Sequence, residues 1–113
     1  MAFTPYHNLL GATTRDNELV AINDTKHGIK SLQISNVKSD AAATVDLYIF
    51  KDSTDTAASQ VVYILNQVVI PFGVSLFLNE DEVHFDNSIW SLYMNVGGSD
   101  TVDVLIKKKQ SKS

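Results

Sequence analysis

The stretch Thr44-Val45-Asp46-Leu47-Tyr48-Ile49-Phe50 decides the fold. Val45, Leu47 and Ile49 alternate with Thr44, Asp46, Tyr48 and Phe50, and a period of two belongs to an extended chain with successive side chains on opposite faces. The same rhythm recurs outward in both directions. Val74, Leu76 and Leu78 alternate with Ser75 and Phe77, and Val102, Val104 and Ile106 alternate with Asp103 and Leu105. Further strands are expected over residues 19–22, 29–37 with Leu32 and Ile34 in phase, 60–70, 83–85, and 89–96 with Trp90, Leu92 and Met94 in phase. The total is about eight strands, and no long helical period competes with them.

Turn chemistry separates these runs. His27-Gly28, Pro71-Phe72-Gly73, Asn79-Glu80-Asp81-Glu82, Asp86-Asn87-Ser88 and Gly97-Gly98-Ser99-Asp100 supply residues that tolerate positive φ, fix φ, or bond their own backbone. Gly97-Gly98 reads as a hairpin turn, and residues 52–59 read as the longest exposed connection. Short strands at this spacing predict an all-β chain, a single antiparallel β-sandwich of jelly-roll or immunoglobulin-like Greek-key type. The whole of 1–113 is read as one domain, with an N-terminal arm over about 1–17 and a basic C-terminal tail over 107–113.

Two strands are apolar on both faces: Val61-Val62-Tyr63-Ile64-Leu65, and 45–50, where Tyr48 and Phe50 occupy the second face. A second layer must cover such strands. It could be another subunit, or the N-terminal segment with Phe3, Tyr6, Leu9 and Leu10.

The charge distribution says more than its sum. The chain has 113 residues, 44% hydrophobic and 19% charged, with a net charge of −4 and no cysteine. That length suits one core and excludes a large multi-domain cofactor enzyme. Lack of cysteine excludes disulfides and thiolate metal sites. No basic region followed by an apolar stretch opens the sequence, and no apolar run approaches the roughly 18 residues of a bilayer span, so neither leader nor membrane segment is expected. Four of the nine basic residues, Lys107, Lys108, Lys109 and Lys112, lie in the tail; the other five face 13 acids over residues 1–106, a body of −8. Such a body repels polyanions, so the tail is read as reaching the acidic surface of a neighbouring copy rather than a specific nucleic acid; a solvated end is the alternative.

Candidate chemistry is sparse. His84 and Asp86 project to one face of an expected strand and could serve a metal or a base-and-orienter pair, but the third ligand would have to be His7 or His27. The acidic runs 79–82 and 52–56 offer oxygens without the spacing of an EF-hand loop, and read as solvated turns. There is no Gly-x-Ser-x-Gly elbow and no glycine-rich phosphate loop. No catalytic residue, metal ligand or cofactor is assigned, and an enzyme is not expected. A carbohydrate-binding sandwich would need an aromatic platform drawn from Tyr63, Trp90 and Tyr93, yet Trp90 shares the phase of Leu92 and Met94 and is expected in the core.

The order of motifs carries a resemblance. Ile34-Ser35-Asn36-Val37, Ala42-Ala43-Thr44-Val45-Asp46-Leu47-Tyr48-Ile49, Tyr63-Ile64-Leu65, Val69-Ile70-Pro71-Phe72-Gly73-Val74-Ser75-Leu76, and Gly97-Gly98 before Thr101-Val102-Asp103-Val104-Leu105-Ile106 resemble small virion proteins of tailed bacteriophages. The resemblance covers residues 29–106 and rests on structural motifs. It implies a β-sandwich subunit that decorates and cements the capsid or sits in the neck, tail or fibres, localised in virions assembled in the host cytoplasm. Its implied partners are further copies of the chain in a symmetric homo-oligomer, the major capsid protein and other virion proteins. Phe3, Tyr6, Lys107, Lys108, Lys109 and Lys112, on the added ends, are the candidate interaction residues.

Overall fold

The computed structural model describes residues 6–10, 16–25, 28–37, 41–53, 58–98 and 100–108. Among them are eight strands: β1 (Tyr6–Leu10), β2 (Asp16–Val20), β3 (Ile29–Asn36), β4 (Ala43–Lys51), β5 (Gln60–Ile70), β6 (Ser75–Asn79), β7 (Ser91–Val96) and β8 (Thr101–Lys108). They form two four-stranded antiparallel sheets, β1-β8-β3-β6 and β2-β7-β4-β5. Apart from the β4–β5 hairpin, every connection crosses from one sheet to the other. The nested pairing β1:β8, β2:β7, β3:β6, β4:β5 is a four-strand-deep hairpin wound into a sandwich, which selects the jelly roll over the immunoglobulin order.

The alternation builds the core as expected. Val45, Leu47 and Ile49 of β4 meet Leu92, Met94 and Val96 of β7 on one inner face; Leu32 and Ile34 of β3 with Val102, Val104 and Ile106 of β8 form the other, all buried. Each fully buried aliphatic side chain contributes about 1.5–3 kcal/mol, so the four central strands dominate stability.

Three expectations are corrected. Part of the segment read as an N-terminal arm is strand: Tyr6–Leu10 pairs along β8 and inserts Leu9 into the core, while Asp16 and Asn17 begin β2. An edge strand with one buried residue leaves almost no periodicity to read. Residues 83–85 alternate in burial, with Val83 inside and His84 exposed, yet have no ladder partner among the described residues. They follow a turn in which Asn79 Oδ1 accepts from the Asp81 and Glu82 amides and Glu82 Oε1 accepts from the Asn79 amide. The Gly97-Gly98 turn carries the chain between sheets rather than closing a hairpin. There the Gly97 amide donates to Thr44 O and Asp100 Oδ2 accepts from the Thr44 amide, and a Cβ on Gly97 would collide with that carboxylate.

Candidate interaction surfaces

The sandwich has two outer faces, two flanks and two loop ends, and the candidate residues fall on different ones. Tyr6 stands on the outer face of the β1-β8-β3-β6 sheet, 69% exposed. Pairing registers it with Leu105, Leu105 with Gln33, and Gln33 with Phe77, so one row crosses all four strands. Leu105 and Phe77 are also exposed. The adjacent row is polar and internally bonded: Asn8 Nδ2 donates to Asp103 Oδ1 at 2.6 Å, and the Ser35 and Ser75 hydroxyls lie 2.7 Å apart. Leu105 and Phe77 were the off-phase residues of their strands, and off-phase large apolar side chains are the signal by which this row could have been found.

Lys107 and Lys108 are the last residues of β8, opposite Ser31 and Ile29, so the basic tail begins within the sheet rather than beyond it. Both are exposed. Phe3, Lys109 and Lys112 lie outside the described residues.

On the opposite outer face, Glu18, Tyr93, Tyr48 and Tyr63 are in register across β2-β7-β4-β5. Tyr48 and Tyr93 stack with centroids 5.7 Å apart and planes 9° from parallel, Tyr63 tilts against Tyr48 at 5.4 Å, and Phe50 meets Tyr93 edge-on at 6.0 Å. This cluster explains the second apolar face of β4: its rings cover one another. Burial, followed by donation of its hydroxyl to Asp16 Oδ1 at 3.1 Å, raises the Tyr48 pKa well above the ordinary phenol value. Burial and then the neighbouring Glu18 charge raise that of Tyr93. Because the inner rings occupy each other's faces, they do not form the flat platform a sugar ring would need. Trp90, expected in the core, is half-buried at its margin with Lys51 Nζ 5.8 Å above the ring.

His84 and Asp86 lie on the rim of a cleft of about 400 Å³ between the β2–β3 and β6–β7 loops. Asp86 Oδ1 accepts from the Ser88 hydroxyl at 2.6 Å and the Ser88 amide at 3.0 Å, which lowers its pKa. The cleft wall is organised by Asn87, which is buried. Its Oδ1 accepts from the Thr25 amide and hydroxyl, and its Nδ2 donates to Ala21 O and Trp90 O. Among the described residues, no group of three or more His, Asp or Glu side chains is placed to hold a metal ion. His7 sits on β1 in the other sheet, and His27 lies outside the described residues.

No protein-family model matches the chain, and no curated protein matches it. Among solved structures, the chain is similar to the VP2 subviral particle of infectious bursal disease virus, at 10% identity and a TM-score of 0.27. The alignment covers 96% of this chain but only 28% of that one.

Proposed function

We propose that this chain is a non-enzymatic structural subunit of a tailed-bacteriophage virion, and that it binds between capsid subunits as a decoration or cement protein. The observation that carries the reading is the placement of large apolar side chains outward on a jelly-roll sandwich. The row Tyr6, Leu105 and Phe77 crosses one sheet, and Tyr63, Val69 and Phe72 continue the exposure around the β5–β6 side. The apolar area such a side chain leaves in water adds nothing to the stability of the folded monomer and gains about 25 cal/mol per Å² once a partner covers it. The polar groups at the loop end support the same reading, because Asn87, Thr25, Asp86 and Ser88 are engaged with one another. The resemblance of the motif order to small phage virion proteins is what points to the particle. In a repeated lattice each contact can be weak, since many identical contacts act together.

The test is reconstitution on phage heads that lack the protein. Saturable binding to heads with lattice stoichiometry, and higher resistance of those heads to heat, is the expected result. Binding confined to necks or tails would move the subunit to that part of the virion, and no binding to any particle component would end the proposal.

A further inference from the structure

We propose that the β5–β6 flank is a self-association edge, on which β5 of one copy pairs antiparallel with β5 of a second copy and extends the β2-β7-β4-β5 sheet across both sandwiches.

The argument begins with the backbone. β5 ends one sheet and β6 ends the other, and only residues 71–74 join them, so both edges lie on one side of the molecule. Among the described residues β5 pairs with β4 alone, which leaves its outward N–H and C=O groups available for another strand. Proteins normally blunt such an edge with charges, prolines or bulges. Between Asp55 and Glu80 the sequence contains no Asp, Glu, Lys, Arg or His, and its single proline, Pro71, lies outside both strands. The bulges lie farther along β5, where the register shifts opposite Leu47 and Gln67 adopts φ 54°. Before them, Gln60 to Tyr63 run in regular register with Lys51 to Tyr48. That regular segment presents Val61, Val62 and Tyr63, each about half exposed, and Val69, Phe72 and Phe77 extend the apolar surface beyond it.

Charge identifies the occupant. Two copies of a chain with net charge −4 repel wherever their acidic surfaces approach, and this uncharged flank lets them meet without juxtaposing like charges. A strand paired antiparallel with itself about a two-fold axis matches each outward donor to the same strand's acceptor, so the contact is self-complementary and closed. The described N-terminal strand cannot serve instead, because β1 is at the far end of the other sheet.

The chain contains no cysteine, which makes disulfide trapping clean. Of single cysteines placed in turn at Gln60, Val61, Val62 and Tyr63, the one or two nearest the two-fold axis are expected to give intermolecular disulfides under mild oxidation and the others little, because an antiparallel pair moves like residues apart by about 7 Å per step. Glu80→Cys on an exposed loop is the comparison. Sedimentation of the unmodified chain should show a concentration-dependent dimer. Val61→Glu combined with Val69→Glu should raise its dissociation constant at least about tenfold, with a thermal midpoint equal to the parent's at concentrations where both chains are monomeric. If that double variant fails to fold, Val62→Thr, which keeps shape and β-propensity, provides the comparison and should weaken the dimer in the same direction. A chain that stays monomeric at about 100 μM, a dimer indifferent to these substitutions, or equal cross-linking at position 80 would overturn the proposal. The edge is independent of the virion reading: a monomer that binds heads refutes the edge alone, and a dimer that ignores every particle refutes the virion role alone.

Discussion

Asn87 shows how a buried polar side chain can hold two loops with every bond satisfied. It reaches the β2–β3 loop through Thr25 and Ala21 and its own loop through Trp90, and it is 6% exposed. Asn87→Ala removes an acceptor from the Thr25 amide where water has little access. It should cost about 2–4 kcal/mol in urea denaturation, against less than about 0.5 kcal/mol for the exposed Ser88→Ala. Equal, small losses would show that water replaces the amide. Tyr48 gives a second residue-scale expectation. Its folded pKa is raised above the ordinary 10.0, by burial first and by donation to Asp16 second. Folding therefore favours the protonated phenol; its contribution is complete below about pH 10 and is lost as the pH climbs above it. Stability measured in steps upward from pH 9 should fall less steeply in Tyr48→Phe than in the parent, and parallel curves would refute the assignment. Neither residue's role was legible in sequence: Asn87 read as a turn residue and Tyr48 as an off-phase strand position, and only the packing supplies their partners.

At the scale of elements, the sequence marks β5 as a strand but not its three registers against β4. Opposite Val45 to Leu47 it carries an extra residue, and it carries another between Leu65 and Tyr63. Each insertion exchanges the faces, so apolar residues fall on both sides of an edge strand without a covering layer among the described residues. Gln67 takes the left-handed conformation there, and Asp46 Oδ1 accepts its amide proton. Gln67→Gly should be neutral or stabilising by up to about 1 kcal/mol, whereas Gln67→Val, branched at Cβ, should cost about 1–2 kcal/mol. Thermal midpoints would check both, and a stabilising valine would mean that the bulge rearranges. Of the two covers expected for this strand, the described N-terminal residues are excluded by their place in the other sheet. The second, another subunit, is the one carried forward in the proposed edge.

For the whole molecule, the segregated charge sets the salt dependence of assembly. Because Lys107 and Lys108 complete β8, a chain ending at residue 108 should retain its thermal midpoint. If the tail lysines meet a neighbour's acidic body, that truncated chain should incorporate into particles less well than the full chain, with a difference that shrinks as salt screens the contact. Equal incorporation at low salt would leave the tail as a solvated end. The sequence by itself determined the all-β class, the phase of the four central strands and hence most of the aliphatic core, because burial on one face writes a period of two into the residues wherever a strand is central. The tertiary structure alone decided the jelly-roll order, the recruitment of residues 6–10 as a strand, the crossing at Gly97, and which off-phase side chains gather into the tyrosine cluster or the row through Leu105. Those features depend on which strands become neighbours, and pairing between strands distant in the chain leaves no local period to read.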